Sequence, residues 1–276
     1  MVGLLFYPSC AQIFRNPFYA EVMEGLQEGF TRAGYHLLLS GYHVSTANSP
    51  APVFLAQSMV DGMILLGHFP NQMVQNFCQA SSTLLLLDSN VEWPIDSVIS
   101  DGFTAEINVV NHLVSQGHRH IVMLAYDMED YNIELRIQGF LNGLRMSGLK
   151  GGSANVIREW ISDDDIYNAL RERLKSSKPP TAVVAVNDTL AVKMLKRLRD
   201  DGIHVPEDLS MVGYNDDVGM AEDRSFLSTV RVDKTELGRM GAELILKRIA
   251  SRETPVVKLR LPTEFISRDS VASVRG

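Results

Sequence analysis

Short apolar runs alternate along this chain with longer amphipathic stretches. The runs read as buried strands at 2–7, 36–39, 62–66, 83–87, 97–99, 121–125, 154–157, 182–186 and 211–214. The amphipathic stretches read as helices at 17–33, 53–59, 71–80, 104–116, 135–147, 164–176, 190–201 and 234–251. Alternation of strand and helix over the whole length predicts an α/β fold, with parallel sheets covered by helices on both faces and right-handed crossovers.

The segment 181–217 carries the clearest chemistry. Two buried runs, TAVVAV and LSMVGY, each end at once in Asn-Asp, and between them lies a helical stretch closed by Gly202 and followed by Pro206. In open α/β sheets small ligands bind beyond the carboxyl ends of the strands, where helix N-termini converge. Polar side chains at two such ends point to recognition of a small polar molecule.

An internal repeat adds to this. MEGLQEGFTRAGY (23–35) and IQGFLNGLRMSGL (137–149) align Gly25 with Gly139, Gly29 with Gly143 and Gly34 with Gly148, each pair 114 residues apart. The first two glycines of each set share a helix face, where a missing Cβ lets the helix approach its sheet. The third sits where a left-handed cap is needed. Two similar lobes is the economical reading, and chance similarity of two amphipathic helices is the alternative.

Composition narrows the classes. A chain of 276 residues, 45% hydrophobic and 21% charged, is ordinary for a globular protein, and its length suits two lobes. The net charge of −7 leaves no overall basic footprint for nucleic acid. Two cysteines without CxxC spacing, Cys10 and Cys78, read as reduced thiols, and no apolar run approaches the ~20 residues of a membrane helix. MVGLLFYPSC does not read as a signal peptide, so a cytoplasmic location is expected.

Segments along the whole chain carry a family resemblance: NPFYAEVMEGLQEGFTRAGYHLLL (16–39), VDGMILLG (60–67), GHRHIVML (117–124), RIQGFLNGLRMSGL (136–149), NDTLAVKMLKRLRDDGIHVPEDLSMVGYNDD (187–217) and LSTVRVDKTELGRMGAELILKRI (227–249). Together they resemble the effector-binding core of the lactose/galactose-repressor (LacI-type) family, which shares its fold with type I periplasmic sugar-binding proteins. GHRHI, VPEDLSMVGYND and LSTV…LG point to the regulators rather than to the periplasmic relatives. The resemblance implies two similar doubly wound parallel-sheet lobes joined by three crossovers, one of residues 1–100 plus 230–257, the other of 101–229 plus 258–276. It also implies a homodimer that binds a sugar-like effector in the cleft between lobes. Operator DNA is then held by an N-terminal helix-turn-helix that this chain does not contain. No cofactor or metal is expected.

Each candidate ligand residue has a structural alternative. Asp188 starts a helix and reads more readily as its N-cap than as a ligand contact. The resemblance implies that Asn187, just before it, faces the effector, and its amide, which both donates and accepts, suits a sugar hydroxyl. Of Asn215 and Asp216, one is expected to face the ligand; the family usually has Asp where this chain has Asn215. Arg136 matches the family's effector-contacting arginine, and its five donors suit a ring oxygen and hydroxyl, a carboxylate or a phosphate; its alternative is a surface pair with Glu134 or Asp130. Asp88 ends the run LLLLD and is the equivalent position in the first lobe, whereas Asp101 lies at a crossover and could hold the hinge. Phe18, Tyr19 and Trp160 could cover the apolar face of a sugar ring, or pack in the core. The histidines 112, 118 and 120 have no metal spacing, and Asp163-Asp164-Asp165 reads as a helix start. No GxGxxG, GxxxxGK[ST], HExxH or GxSxG occurs, so catalysis has no support. The rival readings are a periplasmic sugar-binding protein of an uptake system and an enzyme on the same fold.

Overall fold

In the computed structural model the described residues are 1–7, 16–41, 54, 57–80, 83–159, 162–217 and 225–274. In chain order they form β1 (Val2–Phe6), α1 (Pro17–Arg32), β2 (Leu37–Gly41), β3 (Gly62–Leu66), α2 (Asn71–Ala80), β4 (Leu84–Leu87), β5 (Asp96–Ser100) and α3 (Gly102–Ser115). There follow β6 (Ile121–Tyr126), α4 (Tyr131–Met146), β7 (Val156–Glu159), α5 (Asp163–Leu174), β8 (Ala182–Ala185), α6 (Asp188–Asp200) and β9 (Ser210–Val212). The chain closes with β10 (Thr229–Val232), α7 (Lys234–Ala250), β11 (Lys258–Leu261) and β12 (Thr263–Ile266). Of the expected helix at 53–59, residues 53, 55 and 56 lie outside the described residues, as does Trp160, and 57–59 form a turn and its exit, not a helix.

Two compact units result. The first holds Met1–Ser100, Asp130–Asn132 and Asp233–Leu261; the second holds Asp101–Glu129, Ile133–Val232 and Pro262–Gly276. In the first, six parallel strands run in the order β11-β5-β4-β3-β1-β2. In the second, four parallel strands run β7-β6-β8-β9. Each unit thus places its second strand beside its first, then its third and fourth on the other side, the doubly wound order with a switch point between first and third strands. β1, β3 and β4 are buried along their full length, which is why they appear in the sequence as unbroken apolar runs; β5 (DSVIS) is equally buried but carries polar residues.

Three strands escape the apolar-run pattern. β10 (TVRV), β11 (KLRL) and β12 (TEFI) interrupt their apolar residues with charge, at the exposed positions Arg231, Lys258, Arg260 and Glu264. Their pairing also moves the crossings from the expected 230 and 258. β10 pairs antiparallel with β12, Thr229 opposite Ile266, so 229–232 stays in the second unit. β11 pairs parallel with β5, Lys258 opposite Ser97, so 258–261 belongs to the first. Buried Asp96 anchors that return: it accepts Arg248 Nε and Nη2 at 2.7 and 2.8 Å, and the Val257 N–H at 2.8 Å.

The repeated glycines serve a different contact from the one expected. They bring helix onto helix, not helix onto sheet. A Cβ on Gly25 of α1 would stand 1.9 Å from the Thr235 carbonyl oxygen of α7, and one on Gly139 of α4 would stand 2.3 Å from the Phe103 carbonyl oxygen of α3. Gly29 and Gly143 repeat the close approach against Ala242 and Val110. Gly34 and Gly148 follow their helices with φ of +71° and +74°, the left-handed cap that glycine adopts without strain.

Candidate functional site

In the first unit Tyr19 lies by Gly67, just past β3, and Asp88 lies just past β4. Asn16 caps α1, its side-chain oxygen accepting the Phe18 N–H at 3.0 Å, and Pro17 occupies the first helical position. That start sets Tyr19 edge-on against Phe6 and Phe18, with ring centroids 5.2 and 5.3 Å apart. The Tyr19 hydroxyl lies 2.7 Å from where a Cβ on Gly67 would be, just beyond β3, so only glycine admits it there. Tyr19 is half-buried, whereas Phe18 is buried and packs in the core, which corrects its reading as a ligand wall. Asp88, just past β4, has φ of +56°, and Asn132 donates to both its carbonyl and a carboxylate oxygen, at 2.8 and 3.0 Å.

The second unit concentrates more chemistry. Arg136 on α4 is buried. Its guanidinium lies 3.7 Å over the Tyr214 ring, and its Nη1 donates to the Val186 carbonyl, just past β8, at 2.6 Å. Its Nε has no hydrogen-bond partner among the described residues. The expected surface pairs do not form: Glu134 binds Arg158, and Asp130 accepts the Asn132 N–H.

At the start of α6 the cap falls on Asn187 and not, as expected, on Asp188. Asn187 is the N-cap, its Oδ1 accepting the Leu190 N–H at 2.8 Å, while its amide nitrogen is taken by no described residue. Asp188 is buried instead. Its Oδ1 accepts the Thr229 hydroxyl at 2.7 Å and its Oδ2 the Asp217 N–H at 2.9 Å, and a Cβ on Gly213 would collide with it at 2.1 Å. Extended backbone at Asn187 (φ −155°) aims its short side chain back at the helix N–H groups, and the next residue is turned inward. Asn187→Ala is therefore expected to cost about 1 kcal/mol in urea unfolding, and Asn187→Asp almost nothing; equal losses would refute the cap.

After β9 the chain turns sharply, with φ of +114° at Asn215 and +54° at Asp216. Such strained backbone persists only where the surroundings hold it. Here Asp216 is buried between Arg231 Nε at 2.9 Å and Arg268 Nη2 at 2.7 Å. Burial alone would raise its carboxyl, but the bonds from Arg268 and Arg231 outweigh that and hold it below the usual carboxylate range. Asp216 is thus the inward member of the pair, a structural anchor and not a ligand group. Asn215 is half-buried: its amide nitrogen reaches Asp217 at 3.4 Å, and its Oδ1 has no partner among the described residues. Asp101 caps α3, its Oδ1 accepting the Thr104 N–H at 3.2 Å.

The histidines are structural too. His118 meets the Thr181 hydroxyl at 2.9 Å and the Ala272 carbonyl at 3.1 Å, and His112 lies against Phe265. Among the described residues no group of three His, Cys, Asp or Glu could hold a metal ion, and no helix is long and apolar enough to cross a membrane. One residue escaped the sequence reading. Glu106 is completely buried on α3, and burial raises its carboxyl to about 8 while the Arg136 charge pulls it back. The signal was present: Gly102, Glu106, Val109 and Leu113 share one helical face, and Glu106 is its single charge.

Residues 110–271 match the periplasmic binding protein-like domain. The HTH-type transcriptional repressor PurR of Haemophilus influenzae (strain PittEE) is 26% identical over 268 residues, covering 94% of this chain and 79% of that protein. A LacI family transcriptional regulator from Enterococcus faecium, solved with bound ribose, superposes with a TM-score of 0.81 at 25% identity, over the whole of both chains. The transcriptional regulator CelR in its cellobiose complex gives 0.87 at 25% identity, over 98% of this chain and 84% of that one. Parallel sheets wound in the same order twice, a domain match over more than half the sequence, and regulators of one kind among its relatives agree: the chain belongs to the periplasmic binding protein-like family and forms a LacI-type effector-binding core.

Proposed function

We propose that this chain senses a small polar effector, a sugar or sugar derivative, and, as a homodimer in the cytoplasm, relays its presence to operator DNA through an N-terminal helix-turn-helix. The observation that carries this is Arg136, a buried guanidinium flat on Tyr214 at the carboxyl end of β8, with a donor that no described residue uses. A preorganised cation beside an aromatic ring suits a hydroxyl-rich or acidic ligand. The Asn187 amide nitrogen and the Asn215 carbonyl oxygen supply a donor and an acceptor on the same side of the sheet. Tyr19 and Asp88 are the ligand candidates on the first unit's own strand ends. The relatives solved with ribose and with cellobiose support a sugar.

The test is a thermal-shift screen of this chain against neutral sugars, sugar phosphates, sugar acids and purines. A ligand at 100 times its Kd raises stability by about 2.7 kcal/mol, a shift of several degrees. Arg136→Ala is then expected to weaken the best ligand at least about a hundredfold while leaving the fold intact. An unchanged Kd in that variant would remove Arg136 from the site.

A further inference from the structure

Arg136 and Glu106 stand as an unfinished pair. Glu106 has no exposed surface, and neither of its carboxyl oxygens has a hydrogen-bond partner among the described residues. One turn earlier on the same face of α3, Gly102 makes room for the arginine: a Cβ there would lie 2.9 Å from Arg136 Cγ and 3.7 Å from its Nε. The unused Nε is thus laid along the helix face that carries the unused carboxyl. Buried polar groups are normally hydrogen-bonded, and a donor and two acceptors left idle in one corner point to a partnership made in another state.

Other charges on the surrounding elements are engaged elsewhere. On α3 itself, Asp101 caps the helix and His112 packs against Phe265. On β12, which packs on α3, Glu264 is exposed and paired with Arg231. From α4, Glu134 binds Arg158, so Arg136 is the charge that acts on Glu106.

We propose that Arg136 is a two-position side chain and Glu106 its second anchor: when the Glu106 carboxyl releases its proton to solvent, the guanidinium leaves the Val186 carbonyl and the Tyr214 ring and pairs with the carboxylate. Burial keeps the proton on Glu106 up to about pH 8, so the position over Tyr214 is the neutral-pH one. In that position the pair carries one positive charge at the end of β8; in the other it is neutral and turned onto α3. Glu106 is therefore a positioning residue that sets whether the arginine is presented. Resting on the reading of Arg136 as a ligand contact, ligand affinity declines as pH rises through about 8, and binding above that pH takes up a proton.

The motion is read without any ligand, by following the Arg136 Nε–H resonance, identified by its loss in Arg136→Lys, across about two units either side of pH 8. In the wild-type chain it should move with a midpoint near 8, together with the Tyr214 ring signals. In Glu106→Gln both should stay at their low-pH positions throughout. An Arg136 signal that does not move in the wild type, or that moves equally in Glu106→Gln, overturns the proposal. Should the variant not fold, coincident midpoints for the Glu106 carboxyl carbon and Arg136 Nε in the wild type decide it, and separate midpoints refute it. A failed ligand screen would undo the functional reading of Arg136 and leave this side-chain exchange standing.

Discussion

Gly25→Ala is expected to destabilise the first unit by more than about 3 kcal/mol, from the addition of a single methyl group. The new Cβ would lie 1.9 Å from the Thr235 carbonyl oxygen, 2.8 Å from its carbon and 2.9 Å from the Arg239 nitrogen. All three are backbone atoms of α7, so no side chain can swing aside and the helices themselves must part. They cannot part cheaply, because Gly238 of α7 makes the reciprocal approach, 2.0 Å from the Val22 carbonyl oxygen of α1. The gain in helix propensity from Gly to Ala, about 1 kcal/mol, is outweighed. Gly34→Ala is the control: φ is +71° but nothing lies within 4 Å, so left-handed strain of about 1–2 kcal/mol is the whole expected cost. Thermal and urea unfolding of the two variants should separate them clearly. Equal losses would mean that the α1–α7 contact is looser than described.

Glu106→Gln is expected to stabilise the chain, and by an amount that depends on pH. Glutamine keeps the shape and the buried polar atoms of the protonated acid, so only the cost of ionisation is removed. The folded carboxyl sits at about 8 against an ordinary 4.5. A group raised on folding contributes stability that is complete below the unfolded value and is lost as pH rises to the folded one. The wild type and variant should therefore match near pH 4.5 and diverge upward, by on the order of 3 kcal/mol at pH 7, growing until about pH 8 and then levelling. Urea midpoints at several pH values give the curve. Parallel curves for the two chains would show that Glu106 ionises as freely folded as unfolded.

The elements that sequence reading placed well are those whose burial is uniform. β3 was expected at 62–66 and α2 at 71–80, and both occupy those residues, because a strand covered on both faces and a helix with one apolar stripe write their period into the chain. β10, β11 and β12 left no such mark: each is short and carries a charged residue exposed to solvent, and their place follows from strand partners far away in sequence. The same division runs through the site. The Asn-Asp pairs after two strands were legible as residue types at strand ends, and Arg136 was legible only through the family resemblance of RIQGF. Which member of each pair turns inward was not, since it depends on backbone direction: extended at Asn187, left-handed at Asn215 and Asp216.

By itself, then, the sequence determined the α/β class, the doubled lobe design, the glycine caps at 34 and 148 and the polar pairs after two strands. These follow from local period and local conformational need, which neighbours in the chain impose on one another. Tertiary structure alone decided that the paired glycines join helix to helix, that Asp188 and Asp216 are anchors, and that the Glu106 carboxyl lies buried by Arg136 with no hydrogen-bond partner among the described residues. The physical reason is distance along the chain. Thr229 lies 41 residues from Asp188, Arg268 lies 52 from Asp216, and no local pattern records which side chains the fold brings within hydrogen-bond reach.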